Sequence, residues 1–482
     1  MDAPAEHPLS AQDAQTDGPL REDPVGTEDL DELEALEDDE RAARRGGAIP
    51  RGSLSRGLRL AGLPAAFAGR QAVGLGRRLG GRSQAEVAAS VQQATAEQIF
   101  KVLGQLKGGA MKVGQALSVL EAALPEEQAG PYRAALTKLQ DAAPPMPAAT
   151  VRAVLAAELG PRWRSLFASF EEKPSAAASV GQVHRAVWSD GRPVAVKVQY
   201  PGAGDALLGD LDQVGRLVRI AAGWIPGMEV GPIIAELRER VAEELDYRAE
   251  GAAQQAFADA FAGDDEVVVP QVVMATGRVL VSEWLDGVPL SKVIAEGTQE
   301  QRDLAARRYL EVLLLGPARA GLLHADPHPG NFRLTPDGRF GILDFGAVNR
   351  LPHGMPLAIG RLLGAALDGD SQTVAEGLRE EGFIRERIQV DPDQLLDYLN
   401  PFLEPLRHEE FRFDRAWLQS LFRHVNDRER PEWTINLKVN LPPEYVLIHR
   451  VWFGGIGVLC QLGGVVPAVQ VLSDFLPEFA EE

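Results

Sequence analysis

Three short stretches, far apart and in a fixed order, limit what this chain can fold into. They are PVAVKVQY at 193–200, HADPHPGN at 324–331 and GILDFGAV at 341–348. In the first, strand alternation puts Val194, Val196 and Val198 on one face and Ala195 with Lys197 on the other. In the second, Asp326 and Asn331 stand five residues apart, and Asp344 follows thirteen residues after Asn331. A lysine with two aspartates and an asparagine is a cation joined to hard oxygen donors, a set suited to a phosphate chain and Mg²⁺. Bringing them together requires a cleft between a strand-rich part of the chain and the part that carries the later stretches.

Each stretch has an ordinary use when taken alone, and the order is what carries the argument. Residues 175–183 read SAAASVGQV. Here Ala176, Ala178 and Gly181 occupy the glycine positions of G-x-G-x-x-G, Ala177 and Ser179 fill the places between, and Val183 completes the phosphate-loop pattern of kinases. Lys197 lies sixteen residues beyond Gly181, matching the V-A-I-K strand whose lysine orients nucleotide phosphates. Asp326 with Asn331 has the spacing of a kinase catalytic loop, and Asp344-Phe345-Gly346 is a metal-binding D-F-G. The rival reading takes His324, Asp326 and His328 as H-x-D-x-H, which can bind zinc, but it leaves Lys197 and D-F-G without a role.

The surrounding text predicts an α+β, bilobal, protein-kinase-like fold: a small β-rich lobe, then a larger helical lobe, preceded by a helical extension. VGQVHRAVW and PVAVKVQY flank a turn at Ser189-Asp190-Gly191 and read as a hairpin. Further strands are expected at VVVPQVVMAT and RVLVSEWL, and helices elsewhere from about 204 to 262 and beyond Asp286. The divisions expected are 1–50, 51–147, 148–285 and 286–482. Backbone groups of Glu283 to Leu285, between the lobes, are placed to hold an adenine.

Charge separates the ends of the chain. Residues 1–40 hold fifteen acids and one base, and 41–82 hold ten arginines and no acid, within a chain of 482 residues and net charge −20. The acidic tail lacks the apolar side chains needed to offset ordering entropy and is expected to be disordered. The arginine segment, with Leu54, Leu58, Leu60, Leu63 and Phe67, reads equally as a helix lying on an anionic membrane or as one packed on the body. Acidity spread over the remaining body disfavours nucleic acid as a partner. One cysteine, Cys460, and no apolar leader favour a reducing, cytoplasmic setting. The uncharged run Val451–Leu472 reaches spanning length, yet its glycines, Pro467 and two glutamines favour a buried helical hairpin.

Lys197 needs a carboxylate partner. On a continuous helix Glu243, Asp246 and Glu250 share one face, and spacing alone leaves the choice open. With MKVGQ at 111–115 and the segment Glu244-Leu245-Asp246-Tyr247 leading to Glu250, the chain resembles the ABC1/AarF/UbiB family of atypical kinases, from about residue 55 onward. The resemblance implies that Glu250 pairs with Lys197 and that Lys112 and Gln115 sit over the cleft and engage Glu244 or Asp246. On an ideal helix Glu244 and Asp246 lie about 200° apart, so both reach one site only if the helix begins or bends there.

Alanines at 176 and 178 disfavour positive φ, so the loop wraps phosphates poorly, and peptide transfer should be weak. Ala325 stands where protein kinases carry the arginine that reads a phosphorylated loop. The first expectation is therefore an Mg²⁺-ATP-dependent ATPase or a kinase of a small or lipid-like acceptor. In it Lys197 orients phosphates, Asn331 and Asp344 hold metal, and Asp326 positions the attacking hydroxyl. The resemblance adds a role in prenylquinone or isoprenoid-lipid metabolism, peripheral at a membrane. An ATP-switched pseudokinase and a true protein kinase are the alternatives.

Overall fold

The computed structural model describes residues 145–479 apart from 179, 203, 205–244 and 428. The acidic tail at 1–50, the basic segment and helical extension with Lys112 and Gln115, the helices expected across 205–244, and Ser179, Glu243 and Glu244 lie outside the described residues.

Pro147 ends the breaker run, and helix α1 (Ala148–Leu159) begins directly after it. A small-lobe sheet follows, with strands β1 (Phe167–Phe170), β2 (Ala176–Ala178), β3 (Gly181–Trp188) and β4 (Pro193–Gln199). The chain returns with helix α2 (Tyr247–Ala260), β5 (Val267–Val268), β6 (Val272–Ala275) and β7 (Val279–Glu283). The small sheet is antiparallel in the order β1-β3-β4-β7-β6, with β2 also on β3. Val194, Val196 and Val198 are fully buried against α1 residues Val151, Val154 and Leu155. Each buried valine contributes on the order of 1.5–3 kcal/mol.

The run VVVPQVVMAT does not form a single strand. Pro270 lacks the amide a strand interior needs, and the run divides around it. β6 joins the small sheet, whereas β5 runs parallel to β11 (Phe340–Ile342) in a second sheet ordered β5-β11-β10-β8, with β8 at Val288–Pro289 and β10 at Phe332–Leu334. Phe257, Phe261, Val267 and Val269 accordingly pack into the large-lobe core, so the chain enters that lobe before residue 286.

The large lobe continues with α3 (Leu290–Glu296) and α4 (Gln299–Leu315), the latter started by a capping box between Thr298 and Gln301. A ribbon of β9 (Leu322–His324) and β12 (Val348–Arg350) follows. Then come α5 (Leu357–Asp368), α6 (Ser371–Glu380), α7 (Pro392–Leu403), α8 (Arg415–Asn426), α9 (Val446–Leu462) and α10 (Ala468–Phe475). Among the described residues Pro443–Leu462 alone is long and apolar enough to cross a membrane, and 56% of its apolar window is buried. α9 and α10 are separated by Gly463, Gly464 and the short strand Val465–Val466, and each packs on α4 rather than forming the expected hairpin; a Cβ on Gly464 would meet the Ala306 Cβ at 2.6 Å, so the connection lies tight on α4. Cys460 is buried in this core, which pushes its thiol pKa up.

Candidate nucleotide site

Lys197 sits on the cleft face of β4, paired across the strand with Val183 of β3. Its Nζ donates to Glu250 Oε1 at 2.7 Å and Oε2 at 3.0 Å, and to Asp344 Oδ1 at 3.2 Å. It also lies 5.1 Å from the centre of the Tyr247 ring. Burial alone would lower the lysine's pKa, but the charges of Asp344 and Glu250 hold it well above its ordinary value, so Lys197 is a fixed cation. Side-chain exposure is 14% for Lys197, 3% for Glu250 and 29% for Asp344, which makes Asp344 the member open to the cleft.

Glu243 lies outside the described residues; of the two other carboxylates considered for Lys197, Asp246 and Glu250, Glu250 is the one the structure brings to it. Asp246 does not share its helical face. The helix starts at Tyr247, and Asp246 is its N-cap, in an extended backbone with its carboxylate accepting from the Arg248 N–H at 3.1 Å. Aspartate prefers that position because its oxygen satisfies a free amide of the first turn. Tyr247 N–H is taken by the Gly277 carbonyl, which anchors the helix start to the turn between β6 and β7.

Asp344 is held by the large lobe. Its φ of +59° lies in the left-handed region, which is uncommon for a residue with a Cβ. His324 Nε2 donates to the carbonyls of Leu343 at 3.2 Å and Asp344 at 3.0 Å and so steadies that conformation. Phe345 is buried 4.9 Å from Phe257 of α2, two turns beyond Glu250, and 5.3 Å from His324. The D-F-G segment thus packs on the same helix that supplies Glu250.

The zinc reading does not match this geometry. His324 faces backbone carbonyls, His328 Nδ1 accepts from the Gly330 N–H at 3.0 Å, and no cluster of three metal-ligating side chains occurs among the described residues. Burial lowers the His328 pKa against the pull of Asp326 and Asp344, which suits its accepting role. Asn331 Nδ2 donates to the Asp326 carbonyl at 3.3 Å. The donor end of the amide is therefore engaged, and its oxygen is left as an acceptor. Tyr309 donates to the Pro327 carbonyl at 3.2 Å, and Gly454 of α9 lies so close to Pro327 that a Cβ there would meet its Cγ at 2.5 Å. The loop bearing Asp326 is clamped from two helices.

On the roof, β2 and β3 form a tight hairpin with Ala178 opposite Gly181 and Ala176 opposite Val183. Gly181 does not need positive φ. A Cβ there would lie 2.3 Å from the Val198 carbonyl oxygen and 2.9 Å from the Tyr247 hydroxyl. Between the lobes, the Glu283 N–H goes to the Gln271 carbonyl and the Trp284 N–H to the Pro193 carbonyl. The Glu283 side chain pairs with Arg192 on the surface. Of the backbone groups expected at 283–285, the N–H groups of Glu283 and Trp284 are thus engaged within the protein, and the Leu285 side chain lies over Gly341; a Cβ on Gly341 would come within 2.4 Å of it.

Sequence reasoning missed Tyr247, the clamping role of His324 and a buried polar chain behind the roof. In that chain the Met146 N–H donates to Gln182 Oε1 at 2.7 Å, Gln182 Nε2 donates to His184 Nε2 at 2.8 Å, and His184 Nδ1 donates to the Glu171 carbonyl at 2.8 Å. Polar residues at 182 and 184, on the face shared with Ala186, were the available signal.

A family model described as the ABC1 atypical kinase-like domain matches residues 138–378. Atypical kinase coq-8 of Caenorhabditis elegans is 31% identical over 71% of this chain and 45% of its own length. Atypical kinase COQ8B of Rattus norvegicus is 32% identical over 61% and 55%. Both names carry the word mitochondrial, and the chain spans about half the length of these curated relatives. A solved Mycobacterium tuberculosis structure, titled as the complex of Rv3197 with erythromycin, aligns with a TM-score of 0.65 and 44% identity, covering 83% of this chain and all of that one.

Proposed function

We propose, for a chain that belongs to the ABC1 atypical kinase family, that the cleft around Lys197 binds Mg²⁺-ATP and serves an ATPase or a kinase of a small or lipid-like acceptor. The observation that carries this reading is the junction at Lys197, where one buried cation joins Glu250 of the small lobe to Asp344 of the large lobe. Such a bridge forms only when both lobes are in register, which is the arrangement phosphoryl transfer needs.

The residues fit the group. Asp344 and the Asn331 oxygen would hold Mg²⁺, and Lys197 would orient phosphates, with Ala176, Ala177, Ala178, Ser179, Gly181 and Val183 as the roof. Val183, Ala195 and Leu285 would enclose the adenine. Mg²⁺-ATP, when bound, supplies the phosphoryl group and neutralises the charge on it. Asp326 orients the attacking hydroxyl or water, and the grip of Tyr309 and Gly454 on its loop limits how far it can drift. Lys112, Gln115 and Glu244 are proposed to cover the cleft. The β2–β3 hairpin disfavours a peptide acceptor, and the family resemblance supports prenylquinone or isoprenoid-lipid metabolism at a membrane, reached through 51–82.

Asp344→Asn tests the site: it should abolish Mg²⁺-dependent nucleotide binding or turnover, and an unchanged ATPase rate would remove Asp344 from the metal site. Phosphate release stimulated by anionic liposomes favours the ATPase reading, binding without turnover a pseudokinase, and labelled protein a protein kinase. The 44% identity to a chain solved with erythromycin supports a second reading, a macrolide ligand. Titration with erythromycin decides it, and no heat or melting shift would reject it.

A further inference from the structure

Tyr247 is wholly buried at the first position of α2, packed with Val180 and Leu280 beneath the β2–β3 turn. Its ring faces the Lys197 ammonium, and its hydroxyl lies against Gly181, 2.9 Å from where a Cβ would stand. That hydroxyl has no hydrogen-bond partner among the described residues. Burial, with the nearby Glu250 and Asp344 charges, pushes the phenol pKa up against the opposing pull of Lys197, so the group stays a neutral O–H donor. A buried donor without an acceptor is unfavourable by about 1–3 kcal/mol. The hydroxyl stands beside Gly181 on the roof, while the face of the Tyr247 ring carries the Lys197 ammonium.

We propose that the Tyr247 hydroxyl is a phosphate-binding donor, its O–H donating a hydrogen bond to an oxygen of the same phosphate group that Lys197 holds. The proposal rests on the nucleotide reading of the cleft. A phosphate carries oxygens on every side and can accept from the ammonium and the phenol together. The hydroxyl lies against Gly181, with Val180 packed on the ring, so the contact requires these two residues to move outward. The phenol then reports the presence of phosphate rather than of the base.

The test is calorimetric titration of the full chain, wild type and Tyr247→Phe, with ATP, ADP and adenosine in Mg²⁺, together with melting of the unliganded proteins. Phenylalanine keeps the ring under Lys197 and removes only the oxygen. The variant should bind ATP and ADP roughly tenfold more weakly, bind adenosine as before and melt no lower than wild type. Unchanged ATP affinity with a higher melting temperature would show the hydroxyl to be an unpaired core group and overturn the proposal. Equal losses for adenosine and ATP would assign the effect to ring packing and overturn it as well. If the wild type binds none of the three, the nucleotide reading itself falls, an outcome distinct from a wild type that binds and a variant that matches it.

Discussion

Replacing Lys197 by methionine should destabilise the protein more than replacing Lys197 and Glu250 together. Methionine preserves the length of the side chain and deletes its charge. It leaves Glu250, 3% exposed, and Asp344, 29% exposed, converging on the space where Nζ lay 2.7 and 3.2 Å from them. Removing one partner of a buried ion pair costs about 3–5 kcal/mol. Asp344 is partly solvated, so the lower end, about 3 kcal/mol, is the better figure here. Glu250→Gln alone keeps an acceptor for Lys197 and leaves Asp344 as its counter-charge, and about 1 kcal/mol is expected. Independent effects would make the double variant about 4 kcal/mol less stable than wild type. The geometry predicts about 1–2 kcal/mol, because glutamine removes the charge of the deeper of the two carboxylates that lose the lysine.

Urea denaturation of the four proteins, compared at their midpoints, measures the coupling. A double variant less stable than Lys197→Met, or one at the additive value, would refute the reasoning: Lys197 would then contribute through packing and not as the cation between two acids.

Gly181→Ala places a Cβ 2.3 Å from a backbone oxygen of β4, so the two strands must part; a loss of about 2–3 kcal/mol in the same denaturation assay is expected. His184 is buried and its pKa is lowered, first by burial, so it is neutral when folded and takes up a proton on unfolding. Stability from this residue is complete above its unfolded pKa of about 6.5 and is lost as pH falls below it. Melting temperatures between pH 7.5 and 5 should drop further for wild type than for His184→Gln. Gly454→Ala pushes α9 against Pro327, and with it the loop of Asp326; ATP turnover should fall roughly tenfold or more while nucleotide affinity holds, a split that steady-state kinetics resolves.

The placement of the candidate-site residues was legible in the sequence wherever a short local pattern fixes it. Alternation in PVAVKVQY put Lys197 opposite three buried valines, and the β-hairpin is present, as are two helices at the C-terminal end, though not as a hairpin. What was not legible depends on where an element starts or on groups distant in sequence. Helical spacing put Asp246 on a face with Glu250, but capping ended the helix one residue short of it. Valine content made 267–275 look like one strand, and Pro270 sent its two halves to different sheets. His324 carries the same residue type whether it binds zinc or clamps a backbone. Only the carbonyls of Leu343 and Asp344, about twenty residues further on, distinguish the two.

Gly181 shows how a motif can survive while its physical reason changes. In a phosphate loop, glycines serve by allowing positive φ and close approach to a ligand. Here Ala176 and Ala178 are strand residues paired with Val183 and Gly181, where a Cβ projects from the pleat without strain. At Gly181 a Cβ would stand 2.3 Å from the Val198 carbonyl oxygen of β4 and 2.9 Å from the Tyr247 hydroxyl, so the space a side chain would need is taken by the protein itself. The retained glycine therefore draws the roof down onto Tyr247 and Lys197. If the cleft takes phosphates as proposed, a roof held in this way must give way before they reach the phenol beneath it. Glycines restored at 176 and 178 would loosen the hairpin without touching the Gly181 contact, so a change in nucleotide affinity from those substitutions would come from the freedom of the turn and not from repacking at β4.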